Sequence, residues 1–113
     1  MLIQYNRIQI FLEYVAQNIT RSIPTAEAMA KELYMSRSTL FRLVDRELGM
    51  SPFQYIRQAK LEKAKELLIS GKYNRFRDIS EEVGYARADY FAMLFKEAYA
   101  IEPNDYLKTS TGI

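Results

Sequence analysis

The stretch SRSTLFRLVDREL, Ser36 to Leu48, sets Arg37, Ser38, Thr39, Phe41, Arg42 and Arg46 among the aliphatic Leu40, Leu43 and Val44. If the aliphatic three face a core at helical spacing, the others share the outer face of one helix. That face is equipped for recognition. A guanidinium grips two acceptors at once, such as guanine O6 and N7; a hydroxyl donates or accepts; a phenyl ring lies against a thymine methyl. Catalysis is poorly provided for. The chain has no cysteine and no histidine, which removes thiolate nucleophiles, disulfides, zinc-thiolate sites and the commonest general base. Glu81 and Glu82 are neighbours in sequence and point in different directions on a helix, so they are read as solvated charges. No enzyme activity, metal or cofactor is expected.

A chain of 113 residues is the usual size of one domain and buries a modest core without disulfide or metal support. Sixteen Lys and Arg against fourteen Asp and Glu leave a net charge of +2, which permits a polyanionic partner without requiring one. No apolar run approaches the roughly 20 residues that span a bilayer, and no basic-then-apolar leader opens the chain. A cytoplasmic protein without membrane contact is expected.

Positioning these side chains falls to helices. Apolar residues recur three and four apart, alternation is nearly absent, and the glycines and prolines fall between such segments, which predicts an all-α chain of about seven helices. A first helix, roughly Tyr5 to Ile19, carries Ile8, Phe11, Leu12, Val15 and Ile19 on one stripe. Thr25 is placed to cap a second through Leu33, and Ser36 to cap a third that Gly49 ends. Ser51-Pro52 opens a long fourth helix holding Phe53, Ile56, Leu61, Ala64, Leu67 and Leu68 and stopping at Ser70-Gly71. A fifth carries Phe76, Ile79 and Val83, and Gly84 breaks it. A sixth carries Tyr90, Phe91, Leu94 and Phe95, and Pro103 begins the last.

The chain repeats itself. MSPFQYIR, Met50 to Arg57, returns as IEPNDYLK, Ile101 to Lys108, at an offset of 51. Ala30-x-x-Leu33 followed by Leu40 maps onto Ser80-x-x-Val83 followed by Phe91, the second copy having one more residue in its connection. Two helix-turn-helix units are expected, at about 5–50 and 75–108, joined by a linking helix over about 51–70. Small residues at Ala30 and Ser80 suit close helix approach, and Gly84 suits the turn. Tyr34 takes the equivalent turn position in the first copy, where it must adopt another shape or bear strain.

In a helix-turn-helix the second helix enters the major groove with its N-terminal residues at base edges. The first unit then offers Ser36, Arg37, Ser38, Thr39, Phe41, Arg42 and Arg46 to DNA. The linking helix, roughly 30 Å long at about 1.5 Å per residue, approaches the roughly 34 Å separating successive major grooves. Arg57, Lys60, Lys63, Lys65 and Lys72 against Glu62 and Glu66 give residues 51–74 a local charge of +3, with Arg57 or Lys72 placed for phosphate and Lys63 and Lys65 read as a solvated face. The second unit offers Arg87, Tyr90 and Lys96, but Asp89 repels phosphate and residues 75–113 carry five basic and seven acidic residues. It is expected to add less affinity and less discrimination.

The ordered motifs YVAQN, AKELYMSRSTLFRLVDRELGMSPFQYIRQAKLEKAKELL and DISEEVGYARADYFAMLFKEAYAIEPNDYLK resemble the AraC/XylS-type transcription regulators over nearly the whole chain. The resemblance implies the double helix-turn-helix DNA-binding domain of a bacterial regulator, usually an activator that recruits RNA polymerase. It places base contacts at Ser38, Phe41 and Arg42, and at Ala88, Asp89 and Met93. Three of the family's habits fail at four positions: Met93 stands for the usual arginine, Ala100 for the glycine before the last helix, and Lys60 and Lys108 for arginines. Many such regulators carry a sensor or dimerisation domain ahead of this region, and the immediate start of the first helix favours a piece of such a protein. The alternative is a helix-turn-helix module turned to protein interaction, suggested by the near-neutral charge and the acidic second unit.

Overall fold

The asparagine at position 6 sets the first boundary. In the computed structural model, which describes residues 6–111 with side chains through residue 107, Asn6 Oδ1 accepts from the Ile8 amide at 3.2 Å and starts α1 (Arg7–Gln17). The expected start at Tyr5 lies outside the described residues, as does the side chain of Lys108. Then come α2 (Ala26–Glu32), α3 (Arg37–Leu48), α4 (Pro52–Ser70), α5 (Phe76–Glu82), α6 (Ala88–Tyr99) and α7 (Pro103–Thr111). No strand occurs among the described residues. The chain divides into two compact units, one holding residues up to Asn18 and Ile23–Arg57, the other Ile19–Ser22 and the residues from Gln58 onward.

In the first unit Ile8, Phe11, Val15, Met29, Ala30, Leu40, Leu43, Val44 and Ile56 are buried, and the Phe11 and Tyr55 rings meet at 5.6 Å. Leu12 is only half-buried, and Ile19 does not belong to the α1 stripe. The reason is Asn18, whose side chain donates to the Tyr14 carbonyl at 2.7 Å and closes the helix before Ile19 is reached. Thr25 caps α2 by accepting from Ala28 N, as its type and position predict. Ser51 and Gln54 cap α4 reciprocally, each side chain accepting the other's amide at 3.1 and 2.8 Å.

The core of the second unit is aromatic. Phe76 stacks on Phe91 at 5.6 Å and meets Phe95 edge-on at 5.2 Å, with Leu61, Ala64, Leu68, Ile79, Val83 and Leu94 around them. Tyr90, grouped above with the apolar set of the sixth helix and also offered to DNA, is 41% exposed, its ring 6.5 Å from that of Tyr85. Its place one residue before Phe91 turns it about 100° from the buried stripe.

The repeat is visible bond by bond. Tyr34 N donates to Lys31 O and Met35 N to Ala30 O; Gly84 N donates to Glu81 O and Tyr85 N to Ser80 O. Beyond the turn, where the second copy has its extra residue, Gly49 N meets Asp45 O at 2.8 Å and Ala100 N meets Lys96 O at 2.8 Å. Tyr34 (φ 55°) and Ala100 (φ 56°) therefore occupy left-handed backbone, so both turns keep the glycine geometry at a cost in strain. Gly84 (φ 82°) has no such freedom to vary, because a Cβ there would run into the Arg21 carbonyl.

Lys60 is the largest departure from expectation. Counted in the charge of residues 51–74, it is 1% exposed, and its ammonium donates to the carbonyls of Ile19 (2.7 Å), Arg21 (2.5 Å) and Val83 (2.6 Å). Burial lowers its pKa from 10.5 to about 8, which leaves it protonated at neutral pH with three N–H groups for three acceptors. The exposed charge of this segment is correspondingly smaller than the sequence suggests.

Lys60→Met should destabilise the chain by about 3 kcal/mol or more in urea unfolding, since it strands three inward-facing carbonyls. Lys60→Arg, which restores donors, should recover part of the loss. Ala100→Gly and Tyr34→Gly should each raise stability by about 1 kcal/mol by relieving left-handed strain, seen as a higher unfolding midpoint.

Candidate nucleic-acid interface

The surface of α3 is built from both ends. Ser36 Oγ accepts from the Thr39 amide at 3.1 Å and donates to Thr39 Oγ1 at 2.8 Å, which starts the helix and commits the Ser36 hydroxyl to it. Gly49 (φ 69°) ends it. With Leu40, Leu43 and Val44 buried, Ser38, Arg42 and Arg46 emerge four residues apart on the opposite side, all exposed. Neither Arg42 nor Arg46 has an ion-pair partner among the described residues. Both guanidiniums are thus available to an external anion or base edge.

Arg37 and Phe41 are placed differently from that row. Phe41 is half-buried and meets Phe53 edge-on at 6.0 Å, while the Arg37 guanidinium sits 5.6 Å from the Phe41 centroid and 3.3 Å from Glu27 Oε1. Arg37 and Glu27 are 63% and 71% exposed in their side chains, so this pair is weak and opens readily to a competing anion.

On α6 the equivalent positions carry other chemistry. At the repeat offset of 51, Ser38, Arg42 and Arg46 correspond to Asp89, Met93 and Glu97, all exposed. Arg87 Nη2 donates to Asp89 Oδ2 at 3.1 Å; this bond, with a further one from the Tyr90 amide and the guanidinium charge, holds the Asp89 carboxyl below its usual pKa. This pair, 74% and 76% exposed, is as open to a competing anion as Arg37–Glu27, and no side chain caps α6 at Arg87. Lys96 pairs with Glu102 at 3.5 Å. Ala88 is half-buried, whereas Tyr90 and Met93 present 41% and 48% of their surface.

Along α4, Arg57 is exposed without an ion-pair partner among the described residues. Lys63 pairs with Glu66 at 3.5 Å and Lys65 lies 4.8 Å from the Tyr99 ring centroid, while Lys72 is exposed in the following loop. What the sequence reading missed is this pairing. Arg87-x-Asp89 at a helix start carries a local signal, but Glu27 with Arg37 joins two helices across a turn and carries none. Tyr34, 95% exposed at the tip of the first turn, was also not singled out as surface. Among the described residues, no acidic cluster fit for a metal and no helix long and apolar enough to cross a membrane occurs.

A family model described as "Helix-turn-helix domain" matches residues 29–109. The lactose operon transcription activator of Staphylococcus xylosus is 31% identical over 99 residues, which is 88% of this chain and 35% of that protein. The chain belongs to the AraC/XylS-type family of helix-turn-helix transcription regulators. The xylose operon regulatory protein of Escherichia coli K12 is 32% identical over 102 residues, 90% of this chain and 26% of that protein. Among solved structures, the C-terminal domain of AraT, a response regulator from Geobacillus stearothermophilus, superposes with a TM-score of 0.83 at 32% identity over 93% of this chain and 86% of that one. The AraC-type module seen here is all-helical and is of the kind that binds DNA in transcriptional regulators. It spans about a third or less of the length of these two curated relatives.

Ser36→Ala removes the α3 cap and should lower stability by about 1 kcal/mol in urea unfolding. Because the hydroxyl is already spent on the helix, the variant should lose less DNA affinity than one truncated at Arg42.

Proposed function

We propose that this AraC-type domain binds a specific duplex DNA sequence in the major groove, chiefly through α3, within a bacterial transcription activator. The observation that carries the reading is the exposed row Ser38, Arg42 and Arg46 on a helix capped at both ends, with neither arginine held by an internal carboxylate. Arg42 would fork onto guanine, Ser38 would adjust to its neighbour, and Arg46 and Arg57 would hold phosphate. Arg37 would leave Glu27 for phosphate, keeping its stack on Phe41, whose ring edge remains for a thymine methyl. Ser36 and Thr39 would position the helix. The second unit, from about 75 to 108, would add α6 with Arg87, Ala88, Asp89, Tyr90, Met93 and Lys96 at the duplex, with less affinity because Asp89 and Glu97 stand where α3 has Ser38 and Arg46. The activator role and recruitment of RNA polymerase follow the family and the naming of the Staphylococcus relative as an activator. A sensor or dimerisation domain elsewhere in the full protein would supply the signal, and the DNA target implies a cytoplasmic setting.

Selection of bound duplexes from a random pool at about 0.15 M salt tests this. Two enriched blocks would mean that both units read bases, one block that α3 reads alone, and no enrichment by folded protein would favour the protein-interaction reading. Arg42→Ala should weaken binding to the selected duplex by about 1 to 3 kcal/mol and relax one base position. Met93→Arg should raise affinity for duplexes of any sequence and steepen the salt dependence by about one ion.

A further inference from the structure

The two second helices expose opposite chemistry at matched positions. Where α3 carries Arg42, α6 carries Met93, 48% exposed, and one turn before it stands Tyr90, 41% exposed. Residues three apart on a helix are surface neighbours, so these two side chains form one apolar spot. The cations beside it stand next to carboxylates: Arg87 lies 3.1 Å from Asp89 and Lys96 3.5 Å from Glu102, both pairs on the surface. The Tyr90 ring leans toward Tyr85 at 6.5 Å and keeps 41% of its surface in water, while the Met93 thioether, 48% exposed, lies outside the core that Phe91, Leu94 and Phe95 fill from the other side of α6.

We propose that α6 reads the 5-methyl group of thymine, with Met93 as the specificity-determining side chain and the Tyr90 ring as its flank. The inference rests on the duplex-binding reading and names what the second unit recognises. In the major groove the thymine methyl is the one apolar feature that a base pair presents, and it distinguishes T·A from the other pairs. A flexible, polarizable thioether fits such a knob without demanding fixed hydrogen-bond geometry. Two side chains bordered by Asp89, Lys96 and Glu97, all exposed, make a spot well below the several hundred Å² that mark a protein-docking patch, but wide enough for one or two methyl groups.

The test uses the duplex enriched by selection. Each thymine is replaced in turn by deoxyuridine, which removes only the methyl, and binding is measured for the unaltered chain, Met93→Ala and Met93→Leu. In the block whose preference Arg42→Ala leaves intact, at least one replacement should weaken binding by the unaltered chain about three- to fivefold, the worth of one buried methyl. Met93→Ala should lose that dependence, Met93→Leu should keep part of it, and thymines in the other block should matter equally to all three. Because Met93 is exposed, its truncation leaves the core untouched, and matching unfolding midpoints will verify it. The same deoxyuridine profile for the unaltered chain and Met93→Ala, a second block without thymine, or a single enriched block each overturns the proposal while duplex binding stands. No enriched duplex at all overturns the duplex-binding reading and this one with it.

Discussion

The ammonium of Lys60 fixes the geometry of the second unit. It gathers the carbonyls of Ile19, Arg21 and Val83 within 2.7 Å, joining a residue of α4, the turn after α1 and the end of α5 at one point. Val83 is the C-cap of α5 and is followed by Gly84, whose α-carbon lies against the Arg21 backbone. The turn that aims α6 is thereby pinned on both sides. Ser80 reinforces it by donating across the turn to the Tyr85 carbonyl at 3.2 Å. A buried charge of this kind costs desolvation, and the cost is met only because each of its three protons has an oxygen.

From that fixed turn the contrast between the units follows in steps. Both use the same turn bonds, the same left-handed residue after the second helix, and a buried proline at Pro52 and Pro103. They differ in what the second helix shows to solvent. The row on α3 is hydroxyl and guanidinium; the row on α6 is carboxylate and thioether. One framework therefore carries two outward faces of different chemistry.

Helix identities, caps and the core were legible because each rests on local rules. Thr25, Ser36 and Ser51 announce helix starts by residue type, and Leu40, Leu43 and Val44 announce a buried stripe by spacing. The repeat was legible for the same reason, since Pro52 with Tyr55 and Pro103 with Tyr106 recur at one offset. Asn18 defeated the first helix boundary because an apolar residue, Ile19, continues the stripe beyond the residue that closes it. Lys60 defeated the charge count because its partners are backbone carbonyls at separations of 23 to 41 residues, and backbone atoms leave no mark in a sequence. The face of α3 was predictable from spacing, but its division into engaged Arg37 and open Arg42 depends on where Glu27 lies in space.

Tyr34 carries its ring into open solvent, 95% exposed, at the apex of the first turn, in a chain without a single cysteine. A thiol introduced there by Tyr34→Cys would be unique, unhindered and outside the core. The apex would then be a ready attachment point for a fluorophore, from which the arrival of the first unit at a duplex could be followed in real time with α3 itself unmodified.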